Sequence, residues 1–348
     1  MSTAPRICFL GPMIGIHPGR TPSQGEIVSG LLIRDGRQVL RASQSLSRAV
    51  RLLDVNLTLI HHRKNLDVVC AEVYGGRSFV VEDSLSLLCR ALRLPLVMVL
   101  HGGNMPNFMA QFPNWSKRVL QRADALVAPS QYLADAAKRH GFAVKIIPNV
   151  IDLDGYPYRH RQHVRPHLFW MRSFHPIYNP MMAIHVLSEV RQRHPDAKLV
   201  MAGQDKGIQE TARQLAADLQ IAQAVSFPGF VSMAQKVHFA GISDIFINTN
   251  HVDNMPVAVL EMAAMGLPVV STNVGGIPYL LEHEDTGLLV PDGDVRAMTH
   301  AVFRLLDTPS LAGLLSINGR RLAEQSAWTE VRPQWDALFD AVLAERRR

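Results

Sequence analysis

"HVDNMPVAVLEMAAMGLPVVSTNVGG", residues 251–276, reads as turn, helix, strand and turn. The helix is apolar on most of its faces through Val257, Ala258, Val259, Leu260, Met262, Ala263, Ala264 and Met265, which predicts a place in a core. A strand-sized apolar run follows Gly266, so one helix and one buried strand alternate within a short span. Glu261 is the exception in this helix. A buried carboxylate without partners costs a few kcal/mol, so Glu261 requires either a polar ligand or a structural cation such as a distant Arg.

The same alternation runs through the chain. The first half offers "RICFLG", "LTLIHH", "LDVVCAEV", "LPLVMVLHG", "ADALVAPS" and "VKIIPN" as strands, and the second offers "HLFWMRSF", "KLVMAGQ", "AVSFPGF", "DIFINTN", "LPVVSTN" and "GLLVP". Continuous apolar runs of this length suit parallel strands buried on both faces, with helices between them. The fold class is therefore α/β, with two Rossmann-like doubly wound parallel sheets. "NVIDLDGYPYRHRQHVRP" is polar and reads as a linker, which places the boundary near residue 160. The expected domains are 1–160, completed by a C-terminal helix over 328–348, and 161–327. Ligands of open sheets bind beyond the carboxyl ends of the strands, so the residues after each strand, facing a cleft between the domains, are the ones to inspect.

Composition narrows the classes. With 348 residues and 47% hydrophobic content, the chain has room for two cores, yet no apolar run reaches the roughly 20 residues that span a bilayer. The first residues lack the pattern of a secretory signal. Cys8, Cys70 and Cys89 have no metal-ligand spacing, which points to a reducing cytoplasm. The net charge of +6 is uneven: residues 1–150 hold 18 Lys and Arg against 9 Asp and Glu, and the remainder 18 against 21. "IRDGRQVLRASQSLSRAVRLL" carries Arg34, Arg37, Arg41, Arg48 and Arg51 at helical spacing. This is either a solvated helix face or a docking surface for an acidic acceptor or for an anionic membrane, contacted peripherally at its inner face. No nucleic-acid reader motif accompanies the charge.

The strand ends carry a resemblance. "LVMVLHGGN", "RADALVAPSQYLADAAKRHG", "VKIIPNVID", "KLVMAGQDKG", "VSFPGFVS" and "VAVLEMAAMGLPVVSTNVGGIP", followed by "DTGLLVPDGD", resemble in order and spacing a family 4 glycosyltransferase of the GT-B fold. The likeness covers nearly the entire chain. It implies metal-independent, retaining transfer of a sugar from a nucleotide-diphosphate donor, a UDP- or GDP-sugar, to an acceptor hydroxyl of a glycan, a lipid-linked sugar or a small molecule. No cofactor beyond the donor is implied.

The resemblance assigns roles to residues. Glu261 matches the second acid of a motif in which two acids are separated by seven residues, and would accept hydrogen bonds from the donor ribose. Asp253 stands where the first acid, usually Glu, contacts the transferred sugar; its carboxylate is retracted by about 1.5 Å, one bond length. Asn254, Met255, Pro256 and Val257 form the turn into the helix, with Pro256 in its first turn and main-chain N–H groups toward the donor. Arg172 matches a diphosphate-binding Arg, but the Lys expected about five residues later is absent, leaving Tyr178 and Asn179 there. Gly229, Phe230 and Val231 would lie beside the base. In the first domain Gly25 would allow close approach to donor phosphate, His101 would contact the donor sugar, and His17 and Asn104 the acceptor. The catalytic set is then Asp253, His101 and Arg172.

A retaining glycosidase places a second carboxylate about 5 Å from its acid, and the motifs show no such nucleophile. Same-face attack, with the leaving phosphate oxygen taking the acceptor proton, is what the family implies. Two alternatives stand beside it: a degenerate protein that binds a nucleotide sugar without transferring it, and an epimerase of the same fold. A nicotinamide-dependent oxidoreductase is disfavoured because "FLGPMIGIHPG" lacks Gly-x-Gly-x-x-Gly.

Overall fold

The computed structural model describes residues 5–347, and the chain forms two compact units. The first ends at Val150 and resumes at Trp328; the second is Ile151–Ala327.

In chain order the first unit holds β1 (Ile7–Leu10), α1 (Gln24–Arg34), β2 (Val39–Ala42), α2 (Arg48–His62), β3 (Val68–Tyr74) and α3 (Phe79–Leu92). It continues with β4 (Leu96–His101), α4 (Met105–Gln111), α5 (Pro113–Leu120), β5 (Ala125–Ala128), α6 (Gln131–Arg139) and β6 (Lys145–Ile146). Its parallel sheet has the order β2-β1-β3-β4-β5-β6. The second unit holds β7 (His167–Met171), α7 (Pro180–Arg193), β8 (Lys198–Ala202), α8 (Gln209–Asp218), β9 (Val225–Gly229) and α9 (Met233–Ile242). There follow β10 (Ile245–Asn248), α10 (Val257–Ala264), β11 (Val269–Thr272), β12 (Leu288–Val290), α11 (Val295–Asp307) and α12 (Pro309–Glu324). Its order is β12-β11-β10-β7-β8-β9, again parallel. The final helix, α13 (Trp328–Arg347), returns to the first unit.

Strand order reverses between β1 and β3 in one sheet and between β7 and β10 in the other. The loops leaving adjacent strands on either side of such a point diverge to opposite faces and leave a crevice. Helices cover both faces of each sheet, which is why the strands read as unbroken apolar runs. In the first unit Cys8, Leu10, Val69 and Ala71 face one core, and Ile7, Phe9, Val68 and Cys70 the other. The second of these is closed by α13, whose Trp335 ring lies 6.1 Å from Phe9. All three cysteines are buried and free, and burial pushes the Cys8 and Cys89 thiols up to about 12.

The structure corrects the sequence reading in three places. "LTLIHH" is the last part of α2, not a strand: Val55 and Leu59 are buried four residues apart, a helical period that the short run alone conceals. The basic segment is not one helix. Gly36, at φ +80°, ends α1, β2 intervenes, and Ser47 caps a new helix by accepting from Val50 N–H. Arg51 accordingly leaves the proposed basic face, is buried, and donates to Ser45 O at 2.7 Å. The division between units falls at Val150, earlier than residue 160, because the linker-like stretch is built into the second unit. There Arg161 is buried and donates to the carbonyls of Met265, Ala240 and Ser243.

Candidate functional site

The crevice between β7 and β10 collects most of the expected donor residues. Arg172 follows β7 directly, and its N–H donates to Ala202 O at the end of β8. Gly203 makes that approach possible, since a Cβ there would collide with the Arg172 carbonyl. The Arg172 guanidinium pairs with Asp253 and lies 4.6 Å above the Tyr178 ring, while its Nε is buried without a partner. Burial lowers its proton affinity, and Tyr178 and Glu261 act in the opposite sense. Arg172 and Glu261 therefore share one electrostatic environment.

Asp253 is held from several sides. Its Oδ2 accepts from Asn250 Nδ2 at 2.7 Å, and its Oδ1 from Asn254 N–H at 2.8 Å. Its carbonyl accepts from Gly276 N–H at 2.8 Å. The Gly275–Gly276 pair is the seat of this loop: a Cβ on Gly275 would meet the Asp253 backbone, and one on Gly276 the Asn254 carbonyl. Gly275 also takes φ +55°. Asn254, Met255 and Pro256 are buried, and α10 begins at Val257 with Pro256 as its N-cap, one position before the first-turn place expected.

Glu261 does have structural partners, and they are not Arg. Its carboxylate pairs with Lys236 Nζ and accepts from the Tyr156 hydroxyl at 2.7 Å. Burial, reinforced by Glu261, raises the Tyr156 phenol well above its ordinary value, so it remains a donor. Lys236 stands in the first turn of α9, just after the Ser232–Gln235 capping box. Ser and Gln three residues apart in "VSMAQK" are the sequence signal that could have found this helix start, while Tyr156 lies in the linker-like stretch.

The remaining donor candidates divide. Gly229 accepts from Gly203 N–H at 2.8 Å and so sits at the same sheet edge, with Phe230 exposed and Val231 buried. Asn179 is committed to α7: at φ 45° its side chain accepts from Met182 N–H at 3.3 Å. It therefore caps a helix at the position where the resemblance leads one to expect a lysine.

The first unit's switch point gathers a different set. Glu72, on β3, accepts from Gly25 N–H at 2.5 Å, and a Cβ on Gly25 or Gly11 would meet its side chain. Gly25 thus lends its close approach to Glu72 within its own unit. His101 is buried, stacks on Tyr74 with centroids 5.2 Å apart, and turns Nε2 to 3.4 Å from Glu72 Oε1 without a hydrogen-bond geometry. Burial pushes Glu72 up to about 7 and His101 down to about 4, so between those values both groups are uncharged. A cavity of about 20 Å³ beside them is too small for a sugar ring. His17 bonds Gln44 O at 2.8 Å, and Asn104 accepts from Asn107 at 3.0 Å; neither is joined to the Glu72 pair.

Glu82, pushed up by burial to about 8, adds to Glu72 a pH dependence of defined sign. Both native carboxyls keep a proton that the unfolded chain releases near 4.5, so their stabilisation is full below that pH and lost as pH rises through about 7 and 8. The depressed His101 contributes oppositely, and only below 6.5. Between pH 6.5 and 8.5 the melting temperature should therefore fall, and the Glu72→Gln, Glu82→Gln double variant should flatten that slope, an effect on the order of a few kcal/mol. An unchanged slope would show both carboxyls already ionised.

Comparison with known proteins bears on what this geometry is for. The family model described as Glycosyl transferases group 1 matches residues 163–322, and that described as Glycosyltransferase Family 4 matches residues 16–155. A GDP-mannose-dependent alpha-(1-6)-phosphatidylinositol monomannoside mannosyltransferase of Mycobacterium tuberculosis is 28% identical over 187 residues, 52% of this chain and 47% of that one. A D-inositol 3-phosphate glycosyltransferase of Acidothermus cellulolyticus is 31% identical over 180 residues, 49% of this chain and 40% of that one. The chain thus spans about half the length, or less, of the curated relatives it matches. Among solved structures, sucrose-phosphate synthase from Thermosynechococcus elongatus superposes with a TM-score of 0.79 at 16% identity, covering 98% of this chain and 100% of that one. Anabaena HepE in complex with UDP-glucose gives 0.75 at 17% identity, covering 97% and 100%. These two likenesses show the fold.

Proposed function

The chain belongs to the family 4, group 1 glycosyltransferases, and from that premise we propose that it moves a sugar, with retention, from a UDP- or GDP-sugar to an acceptor hydroxyl in glycan or glycolipid assembly. The observation that carries this reading is the joining of Arg172–Asp253 and Lys236–Glu261 at the switch point of the second sheet. Two acids and two cations, all mostly buried, match the two charge types of a nucleotide sugar: hydroxyls that need acceptors and a diphosphate that needs cations.

In this proposal Arg172 meets the leaving diphosphate and Lys236 supplies the second cation that residue 179 lacks. Asp253 accepts from the sugar hydroxyls, Glu261 from the ribose, and Gly229–Val231 line the base. Main-chain N–H groups at the start of α10 add to the diphosphate's partners. The charge of the diphosphate is then met by protein groups, and no cofactor beyond the donor is invoked. The acceptor hydroxyl attacks from the face the diphosphate leaves, and the departing phosphate oxygen takes its proton; the protein contributes alignment and charge stabilisation. Relatives named for GDP-mannose and for inositol 3-phosphate, and a neighbour solved with UDP-glucose, support a nucleotide sugar without choosing the base. No helix of the described residues is long and apolar enough to cross a membrane. We place the work at the cytoplasmic face of an anionic membrane, by peripheral contact and without nucleic acid.

A thermal-shift screen of UDP- and GDP-sugars tests the reading. A true donor at 100 times its dissociation constant should stabilise by about 2.7 kcal/mol. Glu261→Gln should weaken that donor about tenfold, since a hydrogen bond to a charged group contributes about 1.5 to 3 kcal/mol. No stabilisation by any nucleotide sugar sinks the proposal. Stabilisation without any slow hydrolysis of the donor leaves only the binding scaffold.

A further inference from the structure

Helix α2 carries Val50, Leu53, Leu57 and Ile60 on its outward face, and Leu53 and Leu57 are 63% and 62% exposed. This spacing is one stripe of a helix, about 15 Å long at 1.5 Å per residue. On α3, which packs beside α2 through the Ser84–Asn56 hydrogen bond, Val80 and Leu87 are exposed in the same way. A contiguous row of large aliphatic side chains in water marks a contact surface, whereas a single one would not.

Cations frame this row. Arg48 opens α2, and Arg63 and Lys64 follow it, all exposed. Leu87 also forms one wall of a depression whose other walls include Arg90, Lys117, Arg118 and Arg122, with no carboxylate in the lining. Asp83 ties back Arg118 and Arg122 and so fixes two of these guanidinium groups in place. Leu87 thus belongs both to the exposed aliphatic residues of the α2–α3 pair and to the basic depression.

We propose that the α2–α3 face docks on an anionic lipid bilayer, with the aliphatic row at the acyl boundary and a headgroup phosphate in the Arg90–Lys117 depression. Charge complementarity selects this occupant. A second copy would bring the same cations face to face, and 18 basic against 9 acidic residues in positions 1–150 make that encounter repulsive. An anionic bilayer supplies both halves of the match at once, apolar depth and negative charge. The proposal rests on the peripheral-membrane part of the reading above and is independent of its transfer chemistry.

Flotation of the full chain with vesicles tests it. Phosphatidylglycerol-containing vesicles should carry the protein and phosphatidylcholine vesicles should not, with release as salt is raised. Leu53→Glu with Leu57→Glu, and separately Arg90→Glu with Lys117→Glu, should each lower the bound fraction about tenfold or more while leaving the thermal shift by a nucleotide sugar intact. Failure to float with either vesicle, or flotation that both variants keep, overturns the proposal. So does a concentration-dependent dimer that Leu53→Glu abolishes, because the row then belongs to a second copy. Flotation without nucleotide-sugar binding would leave this inference standing and remove the transferase reading.

Discussion

Arg172→Ala is expected to lower turnover about 100-fold or more, the usual effect of removing one preorganised group from a developing charge. The guanidinium is already in position before any ligand arrives. Strand β7 delivers it, Gly203 lets β8 hold its main chain, Tyr178 supports its face, and Asp253 holds its edge. Its buried Nε still has no partner, and a diphosphate oxygen would provide one. Inserting a lysine after it, by Asn179→Lys, is not expected to help. Asn179 caps α7 in a left-handed conformation, and losing that cap costs about 1 kcal/mol. The second cation is assigned to Lys236, so Lys236→Met should weaken nucleoside diphosphate more than nucleoside monophosphate. Steady-state kinetics on a soluble acceptor, with melting temperature as a control for the unpaired Asp253, decide the matter. A nearly silent Arg172→Ala would remove this crevice from the reaction.

Gly276→Ala should be as damaging although it adds one methyl group. The new Cβ overlaps the Asn254 carbonyl, and the Gly276 N–H that holds Asp253 O cannot keep its place. The loop from Asp253 to Pro256 must then shift, and a displacement of about 1 Å in a positioning group costs about 100-fold in rate. Nucleoside diphosphate affinity and turnover should fall together, because Asp253 and the start of α10 move as one. A variant with normal turnover would mean that the loop is not clamped by this pair.

The second sheet was legible because its strands are short apolar runs closed by Gly, Asn or Pro, and each of the six expected runs contains an observed strand. In the first half "LTLIHH" failed for a physical reason: over six residues, a helix end and a buried strand look alike. β2 was hidden inside the arginine-rich segment, since Val39–Ala42 offers few apolar residues and lies only partly buried. Glu261 could be flagged from its apolar neighbours, but not its partners. Lys236 and Tyr156 lie 25 and 105 residues away and meet it only through packing of α9 and the segment before β7. Glu72 escaped notice because a carboxyl inside "VVCAEVY" reads as an ordinary strand residue until His101 and Gly25 close on it.

The first unit is interrupted: its sheet is complete by β6, but α13, the second of the two helices that cover Ile7, Phe9 and Cys70, comes only after Ala327. On the ribosome this imposes an order of events. The second unit, contiguous in sequence, can fold while the first still shows an apolar sheet face covered by α1 alone. That face has to wait for Trp335 and Phe339 to be translated, so during synthesis it is the natural place for a chaperone to hold.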